Sequence, residues 1–321
     1  MIALYNGAPF IREAIESVFT QTLAPTEIIV VDDGSTDAGA DIVRSLAATR
    51  NITLLSKLNG GQSSARNMAI HHTSCSHVAF LDQDDAWYPQ HLEILAKAFA
   101  IGTIPRLGLV YGNLDTVDRE GRWMGYSVLD DHAAPHPKRR MTDCLAIDMM
   151  ILPSASLVAR EAILCVGGFD ERLSGYEDDD LFMRMFRAGY RSAYVNRPVT
   201  RWRLYAGSSS STDRMKDSRL IYFKKLLALY PDENLLHLHW ARDTFGARFF
   251  NNVKNEFLFG WEHGDTHAMA RAHSDLGVIL PELGYPFTAR VRRAWPLINT
   301  LKKAGFQRPA MYVLKRALVR S

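Results

Sequence analysis

Two hydrophobic rhythms alternate along the first 110 or so residues. Glu27-Ile28-Ile29-Val30-Val31 is a short, β-branched, continuously apolar run, the pattern of a strand buried on both faces of a parallel sheet. Ile2-Ala3-Leu4, Ile52-Thr53-Leu54-Leu55, the stretch 78–81 and Gly108-Leu109-Val110-Tyr111-Gly112 read the same way. Between them apolar residues fall at helical spacing, as at Phe10, Ile11, Ala14, Ile15, Val18 and Phe19, and again over about 38–48 and 63–72. This alternation predicts an α/β fold with a mostly parallel sheet flanked by helices. Further on, 154–159 and 195–203 are expected strands, and 117–123 a hairpin turning at Glu120-Gly121. Leu181, Phe182, Met185 and Phe186 mark the buried side of a helix that Gly189 ends. From Asp213 the strand rhythm stops, and 220–229, 235–250 and 267–276 read as a helical C-terminal extension.

Sheets of this kind bind ligands beyond the carboxyl ends of their strands. Two acidic turns stand there: Asp32-Asp33-Gly34-Ser35-Thr36-Asp37 and Asp82-Gln83-Asp84-Asp85. Three carboxylates in four positions repel one another unless a cation neutralises them. Mg²⁺ takes one or two carboxylates together with substrate phosphates. An acidic turn that only caps the helix starting near Pro89 is the alternative; two such turns on one edge favour a ligand. No G-x-G-x-x-G and no Walker-type G-x-x-x-x-G-K-[ST] occurs, which leaves a metal on the second turn as the expected phosphate holder. A third acidic run, Glu177-Asp178-Asp179-Asp180, precedes a helix, where the helix dipole accounts for some of the charge. His132 and His136 have metal-like spacing that Pro135 breaks, and Gly264-Asp265 interrupts His263 and His267; neither pair is expected to bind metal. The aromatics Phe249, Phe250, Phe257, Phe259 and Trp261 are expected in the core.

Composition changes this picture in two places. The 321 residues are 47% hydrophobic and 23% charged, a globular balance, with no apolar run near the ~20 residues of a membrane span. Net charge is +3, yet residues 281–321 carry nine Lys/Arg and one acid, which leaves the first 280 residues at −5. In that tail Met311, Leu314 and Leu318 share a helical side near Arg308, Lys315 and Arg316. Such a basic amphipathic helix either lies on an anionic inner-membrane surface or packs on its own protein. Cys75, Cys144 and Cys165 are isolated, against a disulfide framework, and with no basic run before an apolar core at the first residues a secretory signal is not expected. The expected place is the cytoplasm, peripheral on the membrane face, with no nucleic-acid partner.

Tyr5-Asn6-Gly7, Ser17-Val18 with Gln21-Thr22, 27–37, Asn59-Gly60-Gly61, Ala65-Arg66-Asn67 and 80–85 together resemble the family 2 glycosyltransferases, enzymes with the GT-A fold that invert the anomeric centre. The likeness returns at about 165–210. It implies a catalytic domain over 1–212, with a nucleotide-sugar half at about 1–112 and an acceptor half at about 113–212, and an extension over 213–321. It implies Tyr5 and Asp33 on the nucleobase; Asn59, Arg66, Asp82 and Asp84 on the donor; Mn²⁺ or Mg²⁺ on Asp84 and Asp85; and Asp178 as general base beside Glu177, with Asp180 supporting the helix start. The segment 202–210 resembles the family's closing segment, a mobile loop beside the diphosphate; in it Arg203 would meet phosphate and Tyr205 stands where many members carry His, while a plain flexible loop is the alternative for Ser208–Ser211. The polar loop 130–140 would cover the acceptor. The implied reaction moves a sugar from a nucleotide-sugar, UDP-linked by expectation, to a hydroxyl of a glycan or lipid-linked glycan. A non-catalytic nucleotide-sugar or glycan-binding module is the alternative; a phosphoryl-transfer protein leaves the acids near 177 unexplained. The first strand is shorter than the family's, so a start codon upstream of Met1 is expected.

Overall fold

The computed structural model describes residues 1–207, 213–233 and 239–319. The chain divides into two compact units, one of residues 1–144 and 149–218, the other of residues 145–148 and 219–321.

The first unit carries two sheets. In the first, β1 (Ile2–Leu4), β2 (Ile29–Asp32), β3 (Thr53–Ser56) and β5 (Leu81–Asp82) run parallel in the order β3-β2-β1-β5. All four residues of β2 are buried, as a doubly covered strand requires. Ile2, Leu4, Val30 and Leu81 pack with Ile11, Ile15 and Val18 of α1 (Ile11–Phe19) and Val43 and Leu46 of α2 (Gly39–Ala47). Ile29 and Val31 pack with Ala65 and Ala69 of α3 (Gln62–His72). Alternate residues thus face opposite helix layers. Central β1 pairs with both neighbours, Leu4 opposite Asp32 and Ala3 opposite Asp82. That register brings the two acidic turns to either side of one strand end.

The expected strand 78–81 divides. Its first part, β4 (His77–Ala79), pairs antiparallel with β9 (Ser156–Ala159) in the second sheet, while β5 joins the first. Buried Phe80 lies between them. An apolar run specifies burial and says nothing about partners, so the division has no signal in the sequence pattern. The second sheet is mixed, in the order β4-β9-β7-β10-β6, from β6 (Ala86–Trp87), β7 (Leu107–Val117) and β10 (Arg191–Arg203). β7 and β10 are parallel, with register breaks around Pro198. The hairpin forms as expected: β8 (Trp123–Gly125) returns along β7 after a turn with Gly121 at φ +83, a value open to glycine. Pro153–Ala155 is a 3₁₀ turn, so the strand expected over 154–159 begins only at Ser156. Helices α4 (His91–Ala100), α5 (Thr142–Leu145), α6 (Arg160–Cys165) and α7 (Glu177–Arg187) complete the order up to α8 (Asp213–Leu229).

The second unit is helical, with α9 (Gly246–His263), α10 (Thr266–Ile279), α11 (Tyr285–Lys303) and α12 (Gln307–Val319). The first residues of the helix expected over 235–250 lie outside the described residues. Phe245, Phe249 and Phe257 are fully buried with Phe223, while Phe259 is 59% exposed; two residues on a helix turn through about 200°, which sends it to the other side of Phe257. Gly264 ends α9 at φ +70, and the Asp265 carboxylate accepts from His267 N and Ala268 N, both 3.0 Å, to start α10. His263 and His267 therefore stand on separate helices. Met311, Leu314 and Leu318 are buried against the unit's own helices, so that face of α12 is not available to a membrane. Among the described residues no helix is long and apolar enough to cross one.

Candidate active site

The site grows from the carboxyl end of β1. Beyond Leu4 a side chain replaces the strand ladder: Tyr5 N donates to Gln83 Oε1 at 2.9 Å, and Gln83 Nε2 donates to Tyr5 O at 3.1 Å. This holds half-buried Tyr5 level with the second acidic turn. Gly7 makes room for it, since a Cβ there would stand 2.3 Å from Gln83 Oε1. Across β1, Asp33 is 2% exposed. Its Oδ1 accepts from Lys57 Nζ at 2.8 Å and Gly60 N at 2.9 Å, and its Oδ2 from Gly61 N at 2.7 Å. A carboxylate has about four lone-pair sites, and three are filled here by the protein itself. Asp33 thus shapes the 57–61 loop, and exposed Asn59 lies on that loop. Lys57 was not singled out from the sequence; its signal was a cation one residue past a strand end on the ligand edge.

In the second turn the three aspartates separate. Asp82 Oδ1 accepts from Arg66 Nη2 at 2.7 Å and Gln62 Nε2 at 2.9 Å. Asp84 Oδ2 accepts from Tyr205 OH at 3.1 Å, and burial, followed by the charge of Asp82, pushes its carboxyl up to about 6. Asp85, expected on the metal, turns inward. It is 2% exposed and accepts from Ser154 Oγ at 2.6 Å and Arg203 N at 2.9 Å. Each of its oxygens braces one element, β10 or the 3₁₀ turn, and its burial turns it away from the open edge. Arg203, expected on phosphate, is also engaged: it donates to Asp84 O, Asp118 O, Arg119 O and Glu13 Oε2 at 2.6–3.1 Å and is 4% exposed. It straps the acidic turn to the β7–β8 hairpin and α1.

The third acidic run meets this edge through Arg66. That buried guanidinium lies 5.7 Å from the Phe80 ring and 5.3 Å from the Phe169 ring, and its Nη1 donates to Glu177 Oε1 at 3.2 Å. One side chain therefore joins carboxylates 95 positions apart. Tyr176 precedes α7 at φ +62, an uncommon conformation for a bulky residue and one that clusters at functional sites. Asp178 is partly exposed and accepts from Asp179 N at 2.9 Å. Burial, then the charges of Glu177 and Asp179, raise its carboxyl well above the usual range. Asp180 pairs with Arg184 at 2.7 Å, and Arg184 also donates to Val166 O and Gly168 O. Ser208–Ser211 lie outside the described residues. The loop at 130–140 leans on the second sheet, with Asp130 accepting from Asn113 Nδ2 at 2.9 Å and His136 Nδ1 2.9 Å from Tyr111 OH.

Asp82, Asp84 and Tyr205 offer oxygen donors alone. Among the described residues no group of three or more His, Cys, Asp or Glu is arranged to hold a metal ion. Two carboxylates fit a hard divalent cation that completes its shell with phosphate and water, and fit a softer metal poorly.

The sequence profile described as Glycosyl transferase family 2 matches residues 1–164, and the chain belongs to that family. An uncharacterized glycosyltransferase of Rickettsia bellii (strain RML369-C) is 28% identical over 277 residues, which are 84% of this chain and 38% of that protein. The uncharacterized glycosyltransferase YibD of Escherichia coli (strain K12) is 41% identical over 96 residues, 30% of this chain and 28% of that protein. The chain spans well under half the length of both. Among solved structures, S. aureus TarS 1–349 in complex with UDP-GlcNAc superposes with a TM-score of 0.62 at 19% identity, over 98% of this chain and 89% of that one. The mannosyltransferase PcManGT of Pyrobaculum calidifontis, in complex with GDP-Man and Mn²⁺, superposes with 0.55 at 20% identity, over 99% and 85%. At these identities the likeness is one of fold, and the fold is GT-A.

Proposed function

We propose that this chain is an inverting, metal-dependent glycosyltransferase, moving a sugar from a nucleotide-sugar, UDP-linked in our reading, to a hydroxyl of a glycan or lipid-linked glycan. The observation that supports this reading is the Arg66 bridge, 2.7 Å to Asp82 and 3.2 Å to Glu177: the carboxylate we assign to the donor and the one we assign beside the base meet on one guanidinium. Tyr5 and the last lone pair of Asp33 receive the nucleobase, and Asn59 borders it. Asp84, with Asp82, holds the divalent cation, which when bound neutralises charge gathering on the departing diphosphate. Asp178 takes the acceptor hydroxyl's proton as that oxygen attacks the anomeric carbon from the side opposite the diphosphate. The new C–O bond forms, the bond to phosphate breaks, and the diphosphate leaves with the electron pair. Glu177, fixed by Arg66, orients the acceptor. We place the catalytic domain at 1–212, with 213–321 as its extension, in the cytoplasm beside the membrane that holds a lipid-linked acceptor.

Calorimetric titration of UDP, GDP and dTDP, each with and without Mn²⁺, tests the donor side. Binding of one nucleotide that requires the metal is expected. Asp178→Asn should keep that binding and lose transfer by about 10²–10⁴-fold. The wild-type rate should rise with pH through a limb above the ordinary carboxylate range, because the base acts deprotonated and its carboxyl is raised. Unchanged transfer in Asp178→Asn removes it as base. Nucleotide binding without turnover of any donor favours the binding-module alternative.

A further inference from the structure

The helical unit presents a surface unlike the one the sequence suggests. α11 and α12 form an antiparallel hairpin, lying on α9 and α10 through Trp295 stacked on His273 and Lys315 over the Trp261 ring, with half-exposed Tyr312 at the outer margin of that contact, 6.2 Å from Trp261. Their inner faces bury Val291, Ile298, Ala310 and Leu314. The outward face carries large apolar side chains in water: Leu297 is 53% exposed, Phe306 57%, Tyr312 51% and Val319 59%. Among them stand Arg293, Lys303, Arg308 and Arg316, all exposed. No Asp or Glu occurs from Leu283 to Val319. On α12, Arg308, Tyr312, Arg316 and Val319 fall within one helical stripe, and Phe306 sits in the turn joining the helices after Gly305 at φ +84.

We infer that this outward face of the α11–α12 hairpin docks on an anionic lipid surface, with Phe306 and Tyr312 entering the headgroup boundary and the four cations meeting lipid phosphates. A tyrosine at a membrane–water boundary keeps its ring in lipid and its hydroxyl in water, and a phenylalanine adds apolar burial. Each cation adds to the attraction, and apolar burial adds the rest. Charge selects this occupant. A second copy meeting the same face in an isologous contact would set cations against cations, and a nucleic acid would leave the exposed apolar side chains in water. The inference deepens the proposed function by naming the surface that brings the enzyme to a membrane-held acceptor, and lipid binding is read without sugar transfer.

The test is co-sedimentation of the full chain with vesicles of phosphatidylglycerol and phosphatidylcholine, or of phosphatidylcholine alone, at about 0.1 M salt, where the Debye length is ~10 Å. Binding to the anionic vesicles alone is expected. Lys303→Gln with Arg308→Gln should weaken it by about 25-fold, some fivefold per cation, and Phe306→Ser with Tyr312→Ser by about tenfold or more. Helical circular dichroism and nucleotide titration on the same samples show that the variants fold and that the donor site is separate. Three results overturn the inference: no binding to anionic vesicles, unaltered binding in the aromatic variant, or duplex DNA displacing the vesicles without any effect of that variant.

Discussion

Asp84 and Asp85 are neighbours with opposite fates, and the difference was set far away in the chain. Ser154 and the backbone of Arg203, 69 and 118 positions from Asp85, draw its carboxylate inward; Tyr205, 121 positions from Asp84, meets the other at the surface of the site. Asp85→Ala leaves two buried donors without an acceptor, at about 1–3 kcal/mol each, so chemical denaturation should show a loss of several kcal/mol. Asp84→Ala should cost little stability and abolish Mn²⁺-dependent nucleotide binding. Calorimetry and denaturation on both variants check the assignment; reversed phenotypes would return Asp85 to the metal. The acidic cluster was legible in the sequence as a cluster. Its division into a buried brace and an outward carboxylate was not, because spacing along the chain carries no information about donors arriving from β10 and the turn before β9. The same holds for Arg203, whose position suggested phosphate while four acceptors of its own protein surround it. Arg66 is the reverse case. Its position pointed to the donor, and its second hand, on Glu177, appears only when α3 and α7 come together.

At the scale of elements, the strands and helices of the first hundred residues were readable because burial on both faces leaves a continuous β-branched run and burial on one face leaves a helical stripe. Pairing was less readable. The end of β1 is an instance: the ladder there is completed by the amide of Gln83, and no periodicity marks a side chain that substitutes for a strand. The junction depends on the absence of a side chain at Gly7. Gly7→Ala should displace Gln83, free the backbone of Tyr5 and weaken nucleotide binding by about tenfold, the worth of one or two hydrogen bonds, while the rest of the sheet persists. Titration of the nucleotide against this variant checks it, and wild-type affinity would show that Tyr5 needs no such support. The terminal helix α12 teaches a related point. Its apolar stripe was visible in the sequence, and so was the choice between membrane and self-packing; only the neighbouring helices decide that the stripe faces inward and that Tyr312 and Val319 face out.

On the scale of the whole molecule, the family profile, the order of motifs and the sheet topology agree on a GT-A domain, and the acids at 33, 82–84 and 177–178 arrive at one edge although nearly 150 residues separate the first from the last. The segment 77–82 has a further consequence. Because β4 is hydrogen-bonded into one sheet and β5 into the other, with only Phe80 between them, neither sheet can open at that segment without pulling on its neighbour. Amide protons of Val78, Leu81 and Val30 should therefore share a single slow deuterium-exchange rate set by global unfolding rather than by separate local openings. Distinct rates on the two sides of Phe80, measured by mass spectrometry or NMR, would show two independent foldons. A shared rate means that the edge carrying Tyr5 and Asp33, held by one sheet, and the bracing of the acidic turn, held by the other, are kept or lost at once.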